Sequence, residues 1–167
     1  MATSDVFVEN FKMGFLAHHG LSYEDVKKIK PDIIYCSITS FGQIGPYGQR
    51  PGYNFQIQGL SGLMSLSGEP QGILLRAGIS VVDIGTGLYS VIAILAALYH
   101  RAQTGEGQCI DMALLYSAMG LLSFAAQSYL LDAKLPPRIG NDHLNIVPYG
   151  LFEPQDACII VAIGADA

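Results

Sequence analysis

The chain has 167 residues, half of them hydrophobic and 14% charged, with a formal net charge of −5. That composition supplies a buried core and excludes a disordered chain. An acidic balance with no basic tract and no basic–aromatic interleaving excludes nucleic acid as the expected partner.

In chain order, Asp5–Asn10 (DVFVEN) reads as a short buried strand, and the opening residues lack the pattern of a secretory signal. Ser22 reads as the N-cap of a helix through Ile29, with Asp25 completing an imperfect capping box. After Pro31, Asp32–Ile38 (DIIYCSI) reads as a second strand. Strand, helix and strand in that order predict a parallel α/β sheet. Phe41–Asn54 is a surface loop, because four glycines and two prolines in fourteen residues forbid regular structure. A short helix is expected from Phe55 to about Met64, then a second loop at Ser67–Gly72. From Ile84 to about Gln103 the pattern is helical and apolar on most faces, as in a helix buried in a layered domain. Its longest apolar run, the twelve residues Leu88–Tyr99, is short for a bilayer span, so no membrane is expected. Arg101 suits the last turn, and Gly105 the end. Gln108–Leu114 reads as a strand, Leu115–Leu131 as a helix and Leu135–His143 as a linker; YGLF and Cys158–Gly164 read as the start of a hairpin.

Both ends are abrupt, which leads to the expectation of a central piece of a longer protein. The three cysteines, Cys36, Cys109 and Cys158, are odd in number and widely spaced, consistent with a reducing compartment. The four histidines, His18, His19, His100 and His143, have no metal spacing, and no GxSxG is present. No metal is expected.

The stretch VVDIGTGLYSVIAIL (Val81–Leu95) carries the main question. An Asp before a helix is ordinarily an N-cap. Here, however, Val81 and Val82 suggest a buried approach to Asp83, and Gly85 and Gly87 each cost the helix about 1 kcal/mol against Ala. A carboxylate at a helix N-terminus with space beside it is also suited to act as a nucleophile. Both readings stay open on these residues alone. The loop GQIGPYG has no phosphate-loop spacing.

Several stretches together resemble the family III CoA-transferases, also called the CaiB/BaiF family. They are DVFVENF with Gly14, PDIIYCSITSFGQIGPY, RPGYN, LSGLMSLSGEP, DIGTGLY, AALYHRAQTGEGQ, DMALLYSA, and GNDH with PYG. The resemblance implies an α/β fold: residues 1–131 as the central part of a Rossmann-like, CoA-binding large domain, and residues 132–167 as a linker and the start of the small domain. It implies CoA transfer from an acyl-CoA to a carboxylic acid through a covalent aspartyl intermediate on Asp83, with coenzyme A entering as acyl-CoA co-substrate. Asn10 and Phe11 match the Asn-Phe pair that touches CoA, and Tyr53 matches an aromatic near the nucleophile. On the residues alone, Asn10 reads equally as a turn residue, Phe11 as core and Tyr53 as loop packing. The two glycines are expected to leave room for the thioester on Asp83, with their N–H groups free to stabilise an oxyanion. A buried acid would keep the anhydride from water.

The chain departs from the family's pattern at several points. Most relatives carry an acid after the PGY tyrosine, where this chain has Asn54; a helper carboxylate is missing. His18 stands where a basic residue is common, and a DG turn reads Asp156-Ala157. An acyl-CoA racemase of the same superfamily is the alternative enzyme. Racemases place a histidine at the position of Tyr53, and a phenol with an ordinary pKa of about 10 is a poorer base than imidazole. The third reading is a truncated, non-catalytic chain that folds against a partner. A homodimer is expected, interlocked in full-length relatives, in the cytoplasm or, with a transit peptide on the parent, in the mitochondrial matrix.

Overall fold

The computed structural model describes residues 3–164; residues 1–2 and 165–167, including the abrupt ends noted above, lie outside the described residues. Strand β1 (Val6–Glu9) leads through a 3-10 turn (Leu16–His19) to helix α1 (Tyr23–Ile29) and strand β2 (Ile34–Thr39). The capping box of α1 is complete: Ser22 Oγ accepts from the Asp25 N–H at 3.2 Å, and Asp25 Oδ2 accepts from the Ser22 N–H at 3.3 Å. Aspartate, shorter than the usual glutamate, still reaches.

Helices α2 (Asn54–Ser61) and α3 (Leu63–Leu66) replace the single helix expected there. Gly62, at φ +91°, separates them with a left-handed residue that ends the first helix. Helix α4 (Val81–Thr104) runs 24 residues, beginning three positions earlier than the sequence suggested. Val81 and Val82 form its first turn, and Val82 is fully buried. Strand β3 (Gln108–Ala113) passes directly into α5 (Leu114–Leu121). The expected helix over 115–131 is broken: α6 (Phe124–Asp132) leaves α5 at 82°, through Ser123 at φ 51°. A non-glycine residue at positive φ is strained, and no Gly or Pro at the break signals it in the sequence. Strands β4 (Tyr149–Phe152) and β5 (Ile159–Ala162) form the expected antiparallel hairpin.

The first three strands form a parallel sheet in the order β1-β2-β3, with Val6 opposite Ile34 and Ile34 opposite Gln108. The fold is α/β, with helices on both faces. Side chains alternate across a strand. Tyr35 therefore packs with Phe7, Tyr23 and Val26 under α1, while its neighbour Cys36 turns the other way and meets Ser90 of α4. A second core unites Phe41, Ile57, Val82 and Ala118, where α2, α4 and α5 meet. The α4–sheet contact is fixed at the far end by Arg101, whose Nη2 lies 2.9 Å from Asp5 Oδ1 and whose Nη1 lies 3.7 Å from Asp32 Oδ2. Arg101 thus does more than complement the helix dipole.

Helix α4 is less covered than expected. Ile84, Leu88, Val91, Leu95 and Tyr99 form an exposed stripe along it. The helix as a whole also outgrows the twelve-residue run: it contains an 18-residue stretch of mean hydropathy 2.0, enough by length and composition for a bilayer span. Its opposite side packs on β2, β3, α2 and α5, the placement of a sheet-covering core helix.

Candidate active site

Three loops and one helix end converge past the carboxyl ends of β1 and β2. Asn10 follows β1 directly, and Thr39 and Ser40 close β2. The loop after Phe41 returns to this point at Gly52. Ser40 Oγ donates to the Gly52 carbonyl at 2.8 Å, and a Cβ on Gly52 would come within 2.9 Å of the Ser40 Cβ. Only glycine permits that approach, and it presents the next two residues, Tyr53 and Asn54, to the strand ends. The fourth contribution is the first turn of α4.

Together they line a cavity of about 440 Å³ that includes Asn10, Thr39, Tyr53, Asn54, Asp83 and Gly87. Asp83 is the third residue of α4. Val82 is locked in the core, so the helical rotation of about 100° per residue turns Asp83 outward. Its carboxylate has no hydrogen-bond partner among the described residues and is exposed rather than buried, contrary to the expectation from sequence. It is not the N-cap either; that position is Ser80, which makes no side-chain cap. The free carboxylate stands on the first turn of α4 and faces the cavity.

Gly85 and Gly87 prove to be unlike each other. Gly87, one turn beyond Asp83, lines the cavity, and a Cβ there would meet nothing within 4 Å. Gly85 is buried against α5, where a Cβ would stand 3.1 Å from Leu121 Cδ1. Its role is helix packing. Both lie inside a continuous helix, so their N–H groups belong to the i→i−4 ladder and are not free for an oxyanion.

A second cavity of about 230 Å³ shares Asn10, Thr39, Ser40, Gly52 and Tyr53 with the first and adds Phe11, Lys12 and Arg50. Phe11, half-exposed, stacks on Phe15 at a centroid distance of 5.2 Å, and Phe15 meets His19 at 4.8 Å. The Arg50 guanidinium lies 4.3 Å from the centroid of the Tyr47 ring. Asn10, Tyr53 and Asp83 are thus brought together, and Phe11 joins them through the adjoining cavity. Tyr53, 80% exposed, presents nearly its whole ring. His18 lines neither cavity. Lys12 is a cation that the sequence reading passed over; its place directly after the Asn-Phe pair was the available signal.

The turn bearing Asn10 and Phe11 is held by Glu9. Its Oε2 accepts from the Phe11 N–H at 2.9 Å, and its Oε1 accepts from the Ser37 hydroxyl. Gln43 Nε2 donates to the same Ser37 oxygen at 2.7 Å, while the Gln43 N–H donates to Asp111 Oδ2 at 2.9 Å. One polar network therefore spans all three parallel strands. Among the described residues, no cluster of side chains has the composition to hold a metal ion. The three cysteines are free, and burial pushes the Cys36 thiol up, away from reactivity.

The chain was compared with known proteins. The family model described as CoA-transferase family III matches residues 1–167. The chain is 49% identical over 164 residues to the succinate–glutarate CoA-transferase of Agrobacterium fabrum, covering 98% of this chain and 41% of that protein. It is 45% identical to the succinyl-CoA:glutarate CoA-transferase of Homo sapiens, covering 98% of this chain and 37% of that one. A crystal structure of a CaiB/BaiF family protein from Brucella suis superposes with a TM-score of 0.91 at 52% identity, covering 98% of this chain and 43% of that chain. The chain spans about two-fifths of the length of these relatives.

Proposed function

Because the chain belongs to CoA-transferase family III, we propose that its 167 residues supply the nucleophile-bearing part of an enzyme that moves CoA from an acyl-CoA to a carboxylic acid. The observation that carries this reading is the Asp83 carboxylate: unpartnered, at a helix N-terminus, in a cavity shared with Asn10 and Tyr53.

The chemistry follows from a carboxylate beside a thioester. Asp83 attacks the acyl carbonyl, the C–S bond breaks, and an acyl-aspartyl anhydride and CoA thiolate result. The thiolate attacks the aspartyl carbonyl and releases the first acid, leaving an aspartyl-CoA thioester. The acceptor carboxylate attacks that thioester, giving a new anhydride and thiolate. Attack of the thiolate on the acceptor's acyl carbonyl forms the new acyl-CoA and restores Asp83. Every step is reversible and the overall exchange is near balanced, since one thioester replaces another, with each anhydride the high-energy species between them.

Gly87 leaves space for the thioester on the turn above Asp83. Asn10 and Tyr53 border both cavities, so a substrate reaching from one to the other passes between them. Phe11, Lys12 and Arg50 in the second cavity suit the nucleotide end of CoA, with an aromatic face and two cations for phosphate. Two relatives are named for glutarate, and a dicarboxylate acceptor is the reading for this chain. Residues 1–131 form the CoA-binding part and residues 132–167 lead into the small domain; a homodimer completes the site. The test is to incubate the protein with acyl-CoA and hydroxylamine and map the modified carboxylate. A hydroxamate on Asp83 supports the covalent route; a label on another carboxylate removes Asp83 from it.

A further inference from the structure

Residues 77–82 deliver Asp83 to the cavity, and two side chains of α2 hold them. Asn54 Oδ1 accepts from the Val82 N–H at 3.2 Å and from Gln58 Nε2 at 3.3 Å. Gln58, only 1% exposed, accepts from the Ala77 N–H at 2.8 Å through its Oε1. The first N–H groups of a helix have no intrahelical acceptor and are usually satisfied by the N-cap side chain. Ser80 makes no such bond. The cap comes instead from another helix, 28 residues earlier in sequence. Val82 is fully buried with Asn54 in place, and its N–H loses its acceptor if that side chain is shortened.

We propose that Asn54 is a positioning residue, whose Oδ1, oriented by Gln58, fixes the first turn of α4 and with it the direction of the Asp83 carboxylate. The catalytic part of this inference rests on Asp83 being the nucleophile. The requirement at position 54 is a hydrogen-bond acceptor, not an acid–base group and not an amide donor. A carboxylate oxygen meets it equally well.

Three variants, made in the full-length enzyme to which this chain contributes the Asp83 site, separate the roles: Asn54→Asp, Asn54→Ala and Gln58→Met. Amide exchange at Val82 and Ala77 is read alongside kcat and KM for acyl-CoA. Asn54→Ala is expected to speed exchange at Val82 about tenfold or more, and to lower kcat about 10–100-fold with KM within about threefold, as for a displaced reacting group. Asn54→Asp keeps both near the parent. Gln58→Met frees the Ala77 amide and lowers kcat less than Asn54→Ala does. The proposal is overturned if Asn54→Asp is as impaired as Asn54→Ala, or if Val82 exchange is unchanged in the alanine variant. If Asn54→Ala does not fold, Gln58→Met carries the test: unchanged Ala77 exchange and kcat overturn it. Asp83→Ala run in parallel keeps the two readings apart. Parent turnover that persists in Asp83→Ala refutes the nucleophile, whereas the exchange measurements still decide the cap.

Discussion

A Cβ placed on Gly85 would stand 3.1 Å from Leu121 Cδ1, so α4 and α5 meet over a residue with no side chain to spare. Gly87, two positions on, faces open cavity. Gly85→Val is expected to cost about 1–3 kcal/mol of stability by overpacking. Gly87→Ala is expected to gain up to about 1 kcal/mol, because a helix interior favours Ala. Gly87→Val should then lower transfer with little loss of stability. Denaturant melts of the three variants check the contrast; equal melts for Gly85→Val and the parent would show that the interface yields.

Asp83→Ala and Asp83→Asn are each expected to lower transfer by about 10³-fold or more, since neither side chain forms the anhydride. Both should fold as the parent does, because the carboxylate makes no hydrogen bond among the described residues. Turnover and thermal melts of the two variants measure this directly. An active Ala variant excludes the covalent route.

Glu9 bonds the Phe11 N–H and the Ser37 hydroxyl, and so sets the turn that carries Asn10 and Phe11. Glu9→Ala should raise KM for acyl-CoA about tenfold, the equivalent of one charged hydrogen bond of about 1.5 kcal/mol. Its kcat should change much less. Steady-state kinetics would expose the opposite pattern, a fall in kcat at constant KM, which would tie Glu9 to the chemical step.

Lys30 Nζ lies 2.6 Å from Asp32 Oδ1, and that hydrogen bond holds Asp32 below its usual 3.8 against the opposing effect of desolvation, with a smaller pull from Arg101. Ser22 and Lys28 act likewise on Asp25. A carboxyl lowered on folding contributes its stability in full above the unfolded value and loses it as pH falls through the folded one. The melting temperature should therefore drop on acidification below 3.8. Asp32→Asn should melt lower near neutral pH and show a shallower acid limb. An equally steep limb in the variant would mean that Asp32 contributes nothing.

Taken apart from the longer enzyme in which the transfer assays above are made, the 167-residue chain is expected to self-associate and to show weak CoA binding and no turnover above background. Its α4 stripe of Ile84, Leu88, Val91, Leu95 and Tyr99 is exposed, and the chain spans only 41% of one relative's length. Light scattering and calorimetric titration with CoA measure both parts. Leu88→Glu with Leu95→Glu should shift the population toward monomer. Micromolar CoA binding with Asp83-dependent turnover would show that this portion of the fold is sufficient.

Strand positions were legible because β-branched, apolar runs sit between turn residues, as at Asp32–Ile38. The capping box at Ser22 was legible for the same local reason. What escaped was tertiary. The kink at Ser123 has no Gly or Pro at the break itself, so nothing local in the sequence marks it. Gly85 and Gly87 look alike in sequence, and only the neighbouring helix tells them apart. The resemblance pointed to Asp83 as the acid of interest, but the partner that holds its turn, Asn54, looked like a defect until its hydrogen bond to Val82 was in view.

The cavity also constrains the order in which the chain can become competent. Its lining draws on residues from Asn10 to Leu114, a separation of 104 positions (114 − 10). At a synthesis rate of about 5–20 residues per second, the last wall emerges roughly 5–20 s after the first. Parallel pairing of β2 with β3 cannot begin sooner, and non-local pairing is intrinsically slow. Asp83 itself follows most of that lining and precedes Leu114 by 31 positions (114 − 83), roughly 2–6 s of synthesis. The cavity therefore closes around Asp83 only when β3 joins the sheet, so its last wall depends on the slowest, most non-local pairing in the fold.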